Sequence, residues 1–238
     1  MIIELTAHRQ LGVSRFWSLD PRSKSAAVFL WSLYMSIHIL GNGPSIQFFD
    51  RNAWPETDVF VGCNFSDPSF RLHYTSVIDV RAMKSITAGR IPPAPLLLST
   101  RAAEYGDKNS SDWRDRIIGI EAIVGLARDR RISRNLSMNS AQHAVVYTLD
   151  TYIDHSEVHL WGIDSFWSDD LKSTTDAIVR QERHGRRNRP QITRQWNGYW
   201  HKIMSDHTNH VFVIHRPSRG AELVSGFSDV SNIRVVDE

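Results

Sequence analysis

Short apolar runs recur along the chain, and the segments between them are long enough to form helices or crossing loops. The six clearest runs cover residues 37–40, 59–63, 76–80, 96–99, 158–161 and 211–215. Several of them are continuous in apolar residues instead of alternating, which is typical of strands that are covered on both faces. Strands that alternate with helices form parallel sheets. The sequence therefore predicts an α/β fold with one doubly wound, mainly parallel, Rossmann-like sheet flanked by helices.

The length of 238 residues fits one substantial core with a small appendage. Apolar residues make up 41% of the chain and charged residues 23%, which is ordinary for a folded globular protein. Residues 1–34 show no clear period, and Met35 directly precedes the first predicted strand. We therefore expect a peripheral N-terminal extension over residues 1–34 and a single domain over residues 35–238.

Cysteine content, hydropathy and charge limit where the protein could be located and what kinds of partner it could bind. The only cysteine, Cys63, excludes an internal disulfide and a cysteine-rich zinc site, which fits a reducing, cytoplasmic location. The apolar run over residues 26–35 is shorter than the roughly 20 residues of a spanning helix. We expect no transmembrane segment, while peripheral contact with a membrane stays open. The formal net charge of +2 gives no reason to expect nucleic-acid binding, and the oligomeric state stays open as well.

Apolar spacing predicts three helices. Between residues 113 and 128 the apolar positions recur with helical spacing, which predicts an amphipathic helix. A second helix is expected to begin near Ser140, which would serve as its N-cap. Trp196 and Trp200 lie four residues apart and Ile203 continues their stripe, so a third helix is expected to pack into the core there.

A basic segment over residues 180–194 contains six arginines and little that could be buried. Its glycine and proline favour a mobile loop over a regular element. The segment is short and lacks interleaved aromatic residues, so a phosphate-binding lid or a solvated loop explains it better than a nucleic-acid site.

A glycine-rich turn follows the first predicted strand. Gly41 and Gly43 lack Cβ atoms, so their main-chain N–H groups could approach an anion closely. Pro44 and Ser45 suit the first turn of a helix, whose N–H groups would face the same ligand. The sequence predicts a phosphate cradle at this turn, and an ordinary tight turn from strand to helix is the alternative.

Polar and aromatic residues follow other predicted strands, at the edge of the sheet where ligands bind in doubly wound folds. Asn64 could read an amide, a hydroxyl or a phosphate, or it could cap the next helix. Asp79 could bind a ribose hydroxyl or serve as a cap. Asp164 could orient a turn whose rings, Phe166 and Trp167, either stack on a base or close the core.

These residues together resemble a known family. The segments Gly41-Asn-Gly-Pro-Ser45 and Asp58-Val-Phe-Val-Gly-Cys-Asn64 are followed by a helix from Ser140 and by Glu157-Val-His-Leu-Trp-Gly-Ile-Asp164. In order and spacing they look like the bacterial sialyltransferases of glycosyltransferase family 42. The resemblance covers most of residues 35–165 and depends on about a dozen specific positions.

The resemblance implies a nucleotide-sugar-binding domain, with a CMP-linked sugar as donor and a glycan or another hydroxyl compound as acceptor. The protein would be an inverting glycosyltransferase. The glycine loop and Asn64 would contact the donor, and the loop from Asn139 to Ala141 would contact its phosphate or sugar. The resemblance implies Asn42, Gly43, Asn64, Ser140 and Asp164 around the donor. Together with the loop and strand-end positions, the predicted binding site consists of Gly41, Asn42, Gly43, Pro44, Ser45, Asn64, Asp79, Asn139, Ser140, Asp164 and Phe166.

The chain departs from the family at two positions whose side chains would act on the charged phosphate of the donor. Ser137 stands where the family has an arginine, and Phe166 stands where it has a tyrosine that helps the phosphate to leave. Such replacements cost orders of magnitude in rate unless other groups substitute. Arginines of the segment over residues 180–194, which lies where the family has a flexible lid, could do so.

The resemblance implies a histidine general base just after that lid, and His184 is the nearest candidate. Neighbouring arginines would favour its neutral form, which a base needs. His143, His201 and His215 are expected to be packing or surface residues. The sequence has no Asp-x-Asp metal signature, since Asp169 and Asp170 are adjacent and suit a helix start, so neither a metal nor another cofactor is predicted.

Two alternatives to glycosyl transfer stay open. A nucleotide-dependent transferase of related fold, such as the pterin pyrophosphokinases, would need Mg²⁺ held by carboxylates, and Asp79, Asp164 and Asp169 are the candidates. A protein that keeps the nucleotide-binding fold without catalysis is the other alternative, which the missing arginine and tyrosine favour.

Overall fold

The computed structural model describes residues 35–125, 138–167 and 190–237. The predicted extension over residues 1–34, residues 180–189 of the basic segment, His184 and Asp169 lie outside these ranges.

The described chain forms one sheet of eight parallel strands, which confirms the predicted α/β class. The order across the sheet is β5-β4-β3-β2-β1-β6-β7-β8. Bounds of the strands are Ser36–Leu40 (β1), Val59–Cys63 (β2), Tyr74–Val77 (β3), Leu96–Ser99 (β4), Ile120–Val124 (β5), Glu157–Trp161 (β6), Val211–His215 (β7) and Ile233–Val236 (β8). From the centre of the sheet, strands β1 to β5 follow one another toward one edge, and strands β6 to β8 follow one another toward the other edge.

Four α-helices flank the sheet within the described ranges. They are Val80–Thr87 (α1), Thr100–Asn109 (α2), Ser140–Thr151 (α3) and Pro190–Asp206 (α4). Short 3₁₀ turns lie at Pro44–Phe48, Arg51–Ala53, Pro68–Phe70 and Asp164–Phe166. No helix in the described ranges has the length and apolar character needed to cross a lipid bilayer.

Side chains alternate between the two faces of each strand, and in the central strands both faces are buried. Ile37 and Val158 lie in one core with Val145 of α3 and Trp200 of α4, and we call this side of the sheet the α3/α4 face. On the opposite side, the α1/α2 face, Leu98 packs with Met83 and Ala102 of α1 and α2. Leu40, Phe60 and Trp161 pack there with Ile46 of the first 3₁₀ turn and with Phe49, which follows that turn. Burial on both faces explains the continuous apolar runs of the central strands.

The prediction of a helix between residues 113 and 128 is wrong for the residues that the structure describes, up to residue 125. Ile120–Val124 is an edge strand paired with β4, and Ile123 is exposed. Runs of Ile and Val at an edge fit helical and strand periods almost equally, and β-branched side chains favour the strand. Residues 126–128 lie outside the described ranges.

Other boundaries differ from the predictions for local reasons. The strand predicted at residues 76–80 lies earlier, at Tyr74–Val77, because Asp79 caps α1 and Val80 begins that helix. Residues 190–194 belong to α4 and not to a loop, which fits a proline in the first turn of a helix. The six apolar runs did not predict β8, and α1 and α2 were also missed.

Candidate functional site

The most informative place in the sheet lies between β1 and β6, where the strand order reverses. The chain leaves β1 toward the α1/α2 face, where Ile46 packs, and leaves β6 toward the α3/α4 face, where Phe166 packs. In open α/β sheets, ligands bind outside the carboxyl ends of the strands at such a reversal. The predicted site residues that follow β1, β2 and β6 all lie along this edge.

The loops after β1 and β6 are hydrogen-bonded to each other, in a contact that we call the β1–β6 seam. The N–H of Gly41 donates to the carbonyl of Trp161 at 2.8 Å, and that of Gly43 donates to the carbonyl of Gly162 at 2.9 Å. The N–H of Gly162 donates to the Ser45 hydroxyl at 2.6 Å. Two N–H groups that were predicted to cradle a phosphate therefore bind protein carbonyls.

Close packing at the seam explains its glycines. A Cβ atom on Gly41 would lie 2.3 Å from the carbonyl oxygen of Gly162, which no side chain can tolerate. Gly162 itself has φ +63°, a left-handed conformation that favours glycine. Pro44 begins a 3₁₀ turn of five residues. This geometry is that of the tight turn, the alternative to a phosphate cradle.

Asn42 links the seam to the end of β2, because its Nδ2 donates to the carbonyl of Cys63 at 3.0 Å. The next residue, Asn64, has φ 56°, an unusual value for a residue other than glycine. Its N–H donates to the carbonyl of Ser76 at 2.9 Å, and its carbonyl accepts from Thr75 Oγ1 at 3.0 Å. The backbone of Asn64 is thus held in a left-handed conformation by β3.

This conformation directs the Asn64 side chain toward the start of α3. Its Oδ1 accepts a hydrogen bond from Ser140 Oγ at 3.3 Å, although 76 residues separate the two in sequence. Its Nδ2 has no partner in the described part of the chain, and the residue is half-buried. The structure therefore brings together two predicted site residues, the Asn64–Ser140 pair, and leaves an amide donor beside them.

The N-cap of α3 is Asn139, so the prediction that Ser140 caps this helix is wrong. Asn139 Oδ1 accepts from the N–H of Gln142 at 2.9 Å, and Gln142 Oε1 accepts from the N–H of Asn139 at 3.0 Å. This capping box satisfies two groups of the helix start. Because Asn139 supplies the cap, the hydroxyl of Ser140 is available to Asn64.

Sequence reasoning assigned His143 to packing or surface, and it lies buried at this edge. Its Nδ1 is 2.9 Å from the hydroxyl of Ser76, and both residues are almost fully buried. Burial lowers the pKa of His143 to about 4, and the carbonyl of Val124 opposes part of that shift. The ring is therefore neutral at pH 7. Its position three residues after Ser140, on the same side of the helix, is the signal that could have identified it.

Three other predicted site residues have more ordinary surroundings. Asp79 caps α1, since its Oδ1 accepts from the N–H of Arg81 at 2.9 Å, and the carboxylate also pairs with the Arg81 guanidinium. Phe166 is fully buried against Trp200 and Phe227, so its ring closes the core and is not exposed to stack on a base. Asp164 begins the 3₁₀ turn after β6, and its side chain lies outside the described part of the structure.

A row of buried imidazoles crosses the α1/α2 face beneath the seam. Trp161 Nε1 donates to His38 Nδ1 at 3.4 Å, so His38 Nε2 carries the hydrogen that is donated to Asp58 at 3.1 Å. His159 Nδ1 lies 3.0 Å from His215 Nε2. Burial lowers the pKa of His215 to about 3, and burial also lowers the pKa values of His38 and His159. These rings are neutral packing groups at pH 7.

Within residues 35–125, 138–167 and 190–237, no three or more His, Cys, Asp or Glu side chains are grouped so that they could hold a metal ion. At the carboxyl edge, the Asn64–Ser140 pair offers an amide and a hydroxyl. Comparison with protein-family models, with curated proteins and with solved structures found no match to this chain.

Proposed function

We propose that the carboxyl edge of the sheet binds a nucleotide, with the Asn64–Ser140 pair at the phosphate or sugar. The observation that carries this proposal is the left-handed backbone of Asn64, which places an amide with one unpaired end beside the first turn of a helix. Backbone strain in a residue other than glycine costs on the order of 1 kcal/mol or more and concentrates at binding sites.

The helix start adds favourable electrostatics. The N–H groups of Ser140 and Ala141 have no partner outside α3 within the described ranges. Such groups, together with the helix dipole, favour an anion near the N-terminus of a helix. A phosphate at this position would accept hydrogen bonds from the helix and from Asn64 Nδ2. The phosphate would thus be held next to the seam and not by its glycine N–H groups.

We further propose that the ligand is a nucleotide-activated sugar, CMP-linked by the resemblance described above, and that the reaction is glycosyl transfer to a hydroxyl acceptor. Neutral amides and a helix N-terminus can stabilise a phosphate leaving group without a metal. The buried ring of Phe166 offers no hydroxyl for that step. Nucleotide binding without turnover, or Mg²⁺-dependent transfer from ATP, are the outcomes that would replace glycosyl transfer.

The binding test uses calorimetric titration and thermal shift with CMP, UDP, GDP and ATP, with and without Mg²⁺. Bound nucleotide at 100 times its Kd should stabilise the protein by about 2.7 kcal/mol. Asn64→Gly is the sharpest variant, because glycine keeps the left-handed backbone and removes only the amide. We expect it to weaken CMP binding at least tenfold while the thermal transition without ligand stays cooperative.

Asn109→Ala is the matched control, since Asn109 is an exposed asparagine at the end of α2. It should leave CMP affinity unchanged. Absence of a response to any nucleotide would contradict the proposed site. Equal CMP affinity in wild type and Asn64→Gly would remove Asn64 from it. Release of CMP from a CMP-sugar in the presence of an acceptor tests transfer separately from binding.

A further inference from the structure

Arg51 is a buried arginine without a carboxylate partner. The residue is only 9% exposed, and its guanidinium lies over the ring of Phe60, 3.8 Å from the centroid. Nη1 donates to the carbonyl of Trp54 at 3.1 Å, and the buried Nε has no hydrogen-bond partner. In the described part of the chain no carboxylate oxygen lies within 4 Å of this guanidinium.

The nearest acidic groups, Glu56 and Asp58, do not form an ion pair with Arg51. Asp58 is bound to His38 Nε2 and to the N–H of Ser36, each at 3.1 Å. Glu56 acts on Arg51 only from beyond salt-bridge distance. Burial lowers the pKa of Arg51, the charge of Arg71 lowers it further, and Glu56 and Asp58 only oppose this shift. Neither carboxylate therefore contacts the guanidinium, and its buried Nε has no acceptor among the described residues.

A second arginine reaches the same place from the segment before β3. Arg71 is exposed, has φ 50°, and donates from Nη2 to Asn52 Oδ1 at 3.0 Å, with no ion pair among the described residues. His73 stacks on Phe60 at 5.9 Å, and burial together with Arg51 lowers its pKa, so the imidazole is neutral at pH 7. Arg51 and Arg71 thus bring two positive charges to the amino edge of the sheet, and neither forms an ion pair with a carboxylate of the described residues.

Arg90 shows why this arrangement is unusual. Its guanidinium also lies over an aromatic ring, 3.9 Å from the centroid of Phe65, but Arg90 is exposed and its charge is hydrated. Burying an unpaired charge is unfavourable unless a counter-ion compensates it. Stacking on Phe60 offsets only part of this cost. An anion bound beside Arg51 would therefore offset the remaining free-energy cost of removing its charge from water.

We propose that Arg51 and Arg71 form an oxyanion site for the phosphate group of a small soluble molecule. Planar guanidinium groups bind phosphate through paired hydrogen bonds. Because Arg51 is recessed, a soluble phosphate reaches it more readily than a flat lipid surface does. Phe60 lies four residues before Asn64 on β2, about 13 Å along the strand. The oxyanion site is therefore separate from the proposed nucleotide site.

The test is calorimetric titration of the whole protein with inorganic phosphate at constant ionic strength. We expect saturable binding that Arg71→Asn weakens at least tenfold, since Asn tolerates the left-handed backbone and removes the charge. Arg90→Gln removes one charge from an equivalent aromatic contact and should leave the affinity unchanged. Because the proposed nucleotide site also takes a phosphate, the titration is repeated in the Asn64→Gly background, where the binding that Arg71→Asn weakens should persist.

Arg51→Met distinguishes an anion site from a structural arginine. With an anion site, this variant loses the phosphate-induced rise in Tm that wild type has. If Arg51 only closes the turn with Trp54, wild type shows no rise with phosphate and the proposal is overturned. Equal phosphate affinity in wild type and Arg71→Asn would also overturn it. Glycerol 3-phosphate should bind, and binding only to vesicles that contain phosphatidic acid would contradict a soluble ligand.

Discussion

The β1–β6 seam and the Asn64–Ser140 pair lie side by side at the carboxyl edge, but they differ in how many of their polar groups are hydrogen-bonded within the protein. In the seam, the N–H groups of Gly41, Gly43 and Gly162 all have protein acceptors. In the pair, the amide of Asn64 has one end bound and the other without a partner in the described chain. A glycine-rich turn can therefore serve the packing of two loops while the binding capacity lies beside it.

The sequence analysis placed the seam glycines and the Asn64–Ser140 pair in one predicted site, and this difference gives them different roles. The seam fixes the distance between the loops after β1 and β6, because Gly41 leaves no room for a side chain. The Asn64–Ser140 pair depends on that framework through Asn42, which bonds to the carbonyl of Cys63. Substitutions in the seam should act mainly on stability, and substitutions in the pair should act mainly on binding.

The largest expected effect is that of Gly41→Ala in the seam. A methyl group 2.3 Å from the carbonyl oxygen of Gly162 forces the two loops apart. We expect a loss of at least about 3 kcal/mol in the free energy of unfolding, measured by urea denaturation. Gly198→Ala is the control, because it lies in α4 with open space around it and should gain about 0.5 to 1 kcal/mol. A near-neutral Gly41→Ala would contradict the close packing of the seam.

A smaller effect is expected from acid, through His143 beneath the Asn64–Ser140 pair. Its folded pKa of about 4 lies below the ordinary value of 6.5, so the unfolded chain takes up a proton first as the pH falls. The contribution of His143 to stability is complete above pH 6.5 and is lost as the pH falls from 6.5 toward 4. The slope is about 1.4 kcal/mol per pH unit.

His143→Gln removes this one titration and keeps a polar partner for Ser76. Urea denaturation at pH 6.5 and pH 5 should show wild type losing about 2 kcal/mol more than the variant over that range. His159 and His215 titrate in the same direction in both proteins, so the difference between the two isolates His143. Equal pH dependence in the two proteins would contradict the low pKa of His143.

The smallest effects separate the cap of α3 from the Ser140 hydroxyl next to it. Asn139→Ala removes the capping box and should cost about 1 kcal/mol. Ser140→Ala removes one half-exposed hydrogen bond and should cost about 0.5 kcal/mol. Thermal and urea denaturation of both variants measure which substitution lowers the free energy of unfolding more. A larger loss for Ser140→Ala would restore Ser140 as the cap.

The central strands were predictable because burial on both faces leaves a continuous apolar run, as in Val59–Cys63. The edge strand Ile120–Val124 was not, because one exposed side permits a mixed pattern that also fits a helix. Asn64 at a strand end and Ser140 at a helix start were named as candidate residues from their places in the sequence. That the N–H groups of Gly41 and Gly43 bind carbonyls was not predictable, since these partners lie more than 100 residues away in the chain.

The sequence by itself determined the class of the fold and the edge at which polar residues gather, because both depend on local composition and on the order of the elements. Only the tertiary structure decided which of these groups are already bonded. It joined Gly43 to Gly162, turned Asn64 toward Ser140, buried Phe166 and left Arg51 without an ion pair among the described residues. The physical reason is that hydrogen bonding and charge compensation depend on distances between residues far apart in the chain, which residue spacing does not contain.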